Sequence, residues 1–395
     1  YTCGIKSGAP FFPRSPRLEW IRTKRFTMPH SFSQAVSNRA QMRGFHLAGV
    51  APIDLNEPPP ELSCFPQWIA EGRAGEMEYL KRRDPQGEYL RSSASIPFPW
   101  ARSVVVCAVN YNSDQPYSID LPASEQNRGW IARYAWSGRE REARTHGECS
   151  QPEGNPPPQT NAKLSETERA ATDYHGIIRQ RLEQLRVDLE QEMGEFQARC
   201  FVDTGPLVER VYAKYAGLGW QAKNTCLINE SLGSWFFLGV ILTSLELPRE
   251  QWAQPMPDRC GTCTRCIEAC PTDALEPYRM DASRCIAYLT IEKRGAIPEE
   301  FAPQVGRNVF GCDICQEVCP WNNRSQNNPE RHRAPLTDWP ELQPRVELVN
   351  PALDWLQGVG QDDYRRLFRD SPLERAKFSG FERNLSNARR NSESL

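Results

Sequence analysis

An α/β (α+β) fold, a mixed-sheet domain followed by a small cysteine-rich domain, is predicted for this chain of 395 residues. Two observations predict it. Before residue 250, short β-branched runs alternate with helical patterns, and after it eight cysteines fall into two spaced arrays. Strand and helix signals in alternation place helices against a sheet.

The first 27 residues scatter Pro, Arg and Phe without a period, so residues 1–27 are expected to be a disordered extension. Apolar positions from Ser33 to Val50, Met42 and Phe45 among them, are compatible with a helix. Leu55 to Pro60 is a proline-rich joint, and Trp68 to Lys81 reads as helical. Ser103-Val-Val-Val-Cys-Ala-Val109 is the apolar, β-branched run of a strand covered on both faces. Residues 137–172 crowd Arg with Glu and then give Gln-Pro-Glu-Gly-Asn-Pro-Pro-Pro. With almost no large apolar side chain they are expected to be a disordered insertion. Tyr174 to Gly194 is amphipathic, with Ile178, Leu182, Leu185 and Leu189 on one face. Cys200 to Val202 reads as a strand leading into Asp203-Thr-Gly-Pro206 and a helix through Tyr215, with Gly217 just past its end. Thr225 to Ile228 and Trp235 to Leu238 give two more strands.

The first array, Cys260-Gly-Thr-Cys263-Thr-Arg-Cys266-Ile-Glu-Ala-Cys270-Pro271, is C-x2-C-x2-C-x3-C-P. The second, Cys312-Asp-Ile-Cys315-Gln-Glu-Val-Cys319-Pro320, lacks one early cysteine, and Cys285 stands alone between them. In ferredoxins with two [4Fe–4S] clusters the fourth cysteine of each run crosses to the other cluster. One set is then Cys260, Cys263, Cys266 and Cys319. The other is Cys270, Cys312 and Cys315, with Cys285 filling the vacancy. Zinc also suits paired C-x2-C units, but it does not explain the third cysteine or the two Cys-Pro terminators. A bacterial-ferredoxin-like domain with two [4Fe–4S] clusters is expected over residues 251–330. The other six cysteines, Cys3, Cys64, Cys107, Cys149, Cys200 and Cys226, lack ligand spacing and read as small hydrophobes or free thiols. Residues 331–395 read as a short polar, helical tail.

Formal charge is near balance, 48 basic against 50 acidic residues, so a polyanion must be met by a local patch. The longest apolar run, Trp235 to Leu245, is too short to cross a bilayer. Thiolate ligands need a reducing compartment. A cytoplasmic protein with no membrane partner is expected. No G-x-G-x-x-G, P-loop or haem-attachment motif is present, and Asp173-Tyr-His175 starts a corrinoid D-x-H-x-x-G motif that fails at Ile178. The electron acceptor stays open on composition and spacing alone.

From about Met28 to Asn323 the chain resembles the epoxyqueuosine reductase family, cobalamin-dependent iron–sulfur enzymes of queuosine biosynthesis that share their plan with reductive dehalogenases. The phrases that carry it are Gly75-Glu-Met-Glu-Tyr-Leu80, Pro99-Trp-Ala-Arg-Ser-Val104, Ala132-Arg-Tyr-Ala-Trp136 and Asp173-Tyr-His175. Val202-Asp-Thr-Gly205, Glu209-Arg210, Ala216-Gly-Leu-Gly219, Lys223-Asn224, Arg284-Cys-Ile-Ala-Tyr-Leu-Thr290 and Gly311-Cys-Asp-Ile-Cys315 continue it. The resemblance implies that residues 28–250 bind base-off cobalamin over a sheet face beside the nearer cluster. Electrons from an unidentified low-potential donor would pass through the clusters to cobalt. The epoxide on the modified wobble base of a tRNA anticodon stem-loop would then be reduced, giving queuosine and water. The cofactor carries the difficult chemistry. A monomer is expected.

By the same resemblance Asp203 matches the family's proton donor, and burial beneath a corrin would favour its acid form. Capping of the following helix is its structural alternative. Arg91, Leu227 and Leu238 match positions contacting the cofactor, Ala132 one acting through backbone atoms, and Lys223 and Asn224 are neighbours. Leu227 and Leu238 read equally as core, Arg91 as a surface charge, and His175 as a structural histidine. Lys293 and Arg294 are expected to meet RNA phosphates; Lys81-Arg82-Arg83 and Arg331-His-Arg333 read as solvated faces. In the family Ala-Trp is followed closely by Asp-Tyr-His, whereas here residues 137–172 intervene. Some relatives carry C-terminal helical repeats that help hold tRNA, for which this tail is too short. The competing readings are a dehalogenase-like corrinoid reductase acting on a small molecule and a non-catalytic electron carrier.

Overall fold

The computed structural model describes residues 31–53, 59–120, 125, 127–137, 173–322 and 334–393. The expected extension 1–27, and the expected insertion 137–172 apart from Ser137, lie outside the described residues. So does Arg331-His-Arg333.

Strands β1 (Leu47–Pro52), β2 (Ser103–Asn110), β3 (Trp130–Ile131), β4 (Ala198–Phe201), β5 (Trp220–Gln221), β6 (Leu227–Ile228) and β7 (Phe236–Thr243) precede the cysteine arrays. Four of them form the main sheet in the order β1-β2-β7-β4. Every pair in it is antiparallel. Parallel and antiparallel pairing, expected in one mixed sheet, are thus separated: among the described residues the parallel pair is β3 with the strand Asn308–Phe310. β7 is the reason. It enters between β2 and β4, which run the same way, and turns one parallel neighbourhood into two antiparallel ones. β2 is buried along its whole length, as its unbroken apolar run requires.

Helix Phe32–Met42 starts at Ser31, whose Oγ accepts from the Gln34 N–H at 3.2 Å. It does not run to Val50. Gly44, at φ +84°, breaks it under the Trp339 indole, and the chain re-enters as β1. The helix expected over Trp68–Lys81 is likewise shortened, to Phe65–Ala70 and one 3₁₀ turn at Glu78–Leu80. Gly72 and Gly75 take positive φ between them, and a Cβ on Gly75 would lie 2.5 Å from the Tyr288 ring.

Helix Tyr174–Met193 covers one face of the sheet through Ile178, Leu182, Leu185 and Leu189. It approaches so closely that a Cβ on Gly239 of β7 would meet Ile178 and Leu182 at 2.8 Å. Helix Glu209–Tyr215 covers the other face, with Tyr212 and Ala213 against Val104, Val106 and Val240. A third core joins Trp130, Trp136, Val309 and Phe310 to Leu353, Leu356, Phe368 and Phe381. The C-terminal segment is therefore packed structure with helices Leu353–Gln357, Gln361–Leu367 and Lys377–Glu393, more than a polar tail. Its polarity misleads because asparagines do core work: Asn384, 0% exposed, donates to the carbonyls of Thr290 at 2.7 Å and Val309 at 2.8 Å. Among the described residues no helix is long and apolar enough to cross a membrane.

Asn384→Ala strips two buried carbonyls of their donor and is expected to cost about 1–3 kcal/mol. Denaturant unfolding checks this through a lower midpoint at unchanged slope.

Candidate active site

Two short helices, Arg265–Glu268 and Ile314–Glu317, carry the centres of the two cysteine arrays. Neither the seven array cysteines nor Cys285 are paired in disulfides. Their electrostatic neighbours fall into two groups. Cys266 feels Cys260 and Cys263, and Cys319 feels Cys266 and Cys260. Cys315 feels Cys312 and Cys285, and Cys285 feels Cys270. Cys226 acts on members of both groups. Burial and then neighbouring cysteines push Cys266 up to about 11, and burial chiefly pushes Cys319 up to about 12. Shifts in this direction keep the sulfurs as neutral thiols, and a bound cation would be needed to hold them as thiolates.

The first array lies outward, with Gly261, Thr262, Thr264 and Arg265 exposed, while burial raises Cys312, and the Cys226 hydrogen bond and then burial raise Cys315, well above the ordinary thiol range. The inner array begins after Gly311, at φ +70°, where a Cβ would lie 2.5 Å from that of Ala132. Lys223 and Asn224 grip the two arrays. Lys223 Nζ donates to the carbonyls of Gly261 at 2.6 Å and Cys263 at 3.1 Å, and Asn224 Nδ2 donates to that of Cys315 at 3.0 Å. Cys226, which showed no ligand spacing, lies within hydrogen-bond reach of the Cys315 thiol, and this contact lowers its pKa.

Asp203 follows β4 in the left-handed region, φ +53°, which Asp tolerates better than most residues. It does not cap the next helix: the N-cap is Val208, and no side chain bonds there. Instead its N–H donates to Glu209 Oε1 at 2.9 Å, and the Tyr174 hydroxyl donates to its Oδ2 at 2.5 Å. The residue itself is exposed. Tyr174 is fixed by stacking on Phe237, with centroids 4.0 Å apart and planes 4° from parallel. Burial and then the Asp203 charge hold its hydroxyl well above the ordinary tyrosine value, so it remains a donor. The same two causes push Glu209 well above the usual carboxylate range.

His175 stacks on Tyr174 and pairs through Nδ1 with Asp173 at 2.9 Å. Burial alone would lower the His175 pKa, but the Asp173 carboxylate outweighs it and the net direction is up. The ring of Tyr134 lies 6.2 Å from Tyr174 and 6.0 Å from Phe310. The chain on the two sides of residues 138–172 therefore converges here.

Of the expected contacts, the structure brings Arg91 to Asp203 and Glu209: its Nη1 donates to the Leu207 carbonyl at 2.9 Å, and its buried Nε has no partner. Leu227 of β6 and Leu238 of β7 pack in one core, where Leu238 is half-buried. The Ala132 N–H donates to the Phe310 carbonyl at 2.7 Å, beside the inner array. Lys293 pairs with Glu76, whose Oε2 also accepts from the Arg294 N–H at 3.0 Å, and the Arg294 guanidinium bonds to carbonyls of Arg375 and Ala376. Both cations are thus engaged within the protein. The roles of Tyr174, Tyr134 and Glu209 escaped sequence reasoning although all three sit in the phrases quoted above. The signal available was their place in Asp-Tyr-His, Ala-Arg-Tyr-Ala-Trp and Glu-Arg.

A family model described as 4Fe-4S double cluster binding domain matches residues 259–322. One described as epoxyqueuosine reductase QueG, DUF1730, matches residues 91–140 and 147–204. The chain is 35% identical over 360 residues to the epoxyqueuosine reductase of Xanthomonas campestris pv. campestris, covering 91% of this chain and 86% of that protein. To that of Synechocystis sp. it is 36% identical over 338 residues, covering 85% and 98%. A crystal structure of epoxyqueuosine reductase with an epoxyqueuosine-modified tRNA-Tyr stem loop aligns with a TM-score of 0.68 at 25% identity, over 91% of this chain and 81% of that one. With two [4Fe–4S] clusters ascribed to the cysteine-rich domain and relatives of this closeness along most of its length, the chain belongs to the epoxyqueuosine reductase family of tRNA-modifying oxidoreductases.

Proposed function

We propose that this chain reduces epoxyqueuosine in a tRNA anticodon stem-loop at a base-off corrinoid held between Asp203 and the inner cluster. One observation carries the reading. Asp203 is held by Tyr174 yet faces outward, and Tyr134 links it to the inner array, feeling the charges of both Asp203 and Asp313.

The residues present suit a corrinoid. Leu227 and half-buried Leu238 offer an apolar face, and the partnerless Nε of Arg91 can meet an amide or carboxylate. Ala132 would contribute backbone atoms, and Lys223 and Asn224 remain neighbours through the arrays they hold. His175 is committed to Asp173, in keeping with a cofactor that takes no histidine from the protein. When bound, a reduced corrinoid supplies the two electrons for C–O cleavage. Cys260, Cys263, Cys266 and Cys319 would hold the outer cluster, where electrons enter. Cys270, Cys285, Cys312 and Cys315 would hold the inner one.

Opening an epoxide leaves an oxyanion, and removing the oxygen as water consumes two electrons and two protons. Asp203 would supply the proton that meets the first oxyanion. Tyr174 keeps the carboxyl aimed, while Glu209 fixes its backbone by accepting its N–H. For the RNA phosphates the proposed contacts remain Lys293 and Arg294, with Arg375 and Arg383 adding positive charge beside them. A phosphate would compete with Glu76 for Lys293.

Asp203→Asn is expected to lower turnover about 10²- to 10⁴-fold. Queuosine released by digesting reacted tRNA measures it, and the iron–sulfur and corrin absorption bands of the anaerobic protein should be retained. Tyr174→Phe keeps the stack but loses the bond, so turnover should fall about tenfold, the equivalent of ~1.4 kcal/mol. Cys285→Ser should strip about half the iron, read by metal analysis, if it completes the inner set. Full iron content would remove it from that role.

A further inference from the structure

Trp220 opens β5 and is 1% exposed, yet its indole N–H has no hydrogen-bond partner. A buried indole N–H ordinarily finds an acceptor, so an orphan points to a missing one. The ring is not free to look elsewhere. Trp220 pairs with Ile228 across β5 and β6, and the preceding Gly219 has so little room that a Cβ there would meet the Ile228 carbonyl at 2.2 Å. Trp321 closes the other side edge-on, with centroids 4.9 Å apart. What Trp220 packs against is the outer cysteine set: it shares a small core with Cys319, and Cys260, Met256 and Trp321 lie on that core.

We propose that the Trp220 indole N–H donates a hydrogen bond to a sulfur of the outer cluster, on its Cys260 and Cys319 side, and thereby sets the potential at which electrons enter the protein. No bond forms or breaks. A reduced cluster carries one more negative charge than an oxidised one, so a donor aimed at its sulfur stabilises the reduced form more and raises the potential. Trp220 is then a positioning residue for the electron path, touching neither corrinoid nor RNA. The inference rests on the cluster reading above.

The test is an anaerobic potentiometric titration of the holoenzyme followed by electron paramagnetic resonance, with iron analysis, for the native chain and Trp220→Phe. The variant keeps an aromatic ring and loses the donor. One cluster should become about tenfold harder to reduce, a fall of about 59 mV for a one-electron couple, while the other cluster and the iron content stay unchanged. Unchanged potentials at full iron would overturn the inference and leave the cluster reading standing. Loss of half the iron from the variant would also overturn it, because the residue would then be a scaffold. A native chain that binds no iron overturns both. Should the variant fail to fold, indole-¹⁵N tryptophan in the native holoenzyme decides: a nitrogen coupling on one reduced cluster's signal supports the inference, and its absence from both overturns it.

Discussion

Buried sulfurs are the constraint under which this molecule is built. The array cysteines must be held in place, and long-range side-chain bonds converge on them. Lys223 and Asn224 tie β5 and β6 to both arrays. Asn322 bonds Ser234 and Gln316, locking the end of the inner array to the turn before β7. Glu317 takes the N–H and hydroxyl of Ser118. Bonds of this kind fix geometry more than they add stability, since each net contribution is about 1 kcal/mol.

The same sheet that backs the arrays also aims the Asp203 carboxyl. β7 carries Phe237, Phe237 stacks Tyr174, and Tyr174 reaches Asp203. Each link is rigid: a strand in the middle of the sheet, two parallel rings, one short hydrogen bond. A carboxyl at the end of a strand is thereby placed by the interior of the domain, although the residue itself stands at the surface. Functional groups on turns need this support, because the turn alone does not fix them.

Much of this was legible in the sequence. The burial of β2 follows from its unbroken β-branched run, and the face of helix Tyr174–Met193 from its period. The two-cluster domain followed from the spacing of the cysteines. What escaped was set by contacts distant in the chain. The insertion of β7 between β2 and β4 has no local signature, and Tyr174 and Asp203 are 29 positions apart. Gly44 looked like one more helical residue until Trp339 occupied the space above it. The C-terminal core was hidden by composition, because Asn384 and Asn387 look solvent-facing and are buried. Cys226 reaches Cys315 through folding alone, with no motif to announce it.

The meeting of Tyr134 with Tyr174 has a consequence for how such a protein can change over evolutionary time. Two chain ends that close on one another at ring-to-ring distance form a splice point. The entropy of closing a flexible loop there rises only with the logarithm of its length, roughly 0.6 kcal/mol per doubling. Segments can be lengthened or trimmed at that seam with little thermodynamic penalty, leaving the reaction centre indifferent to their number of residues.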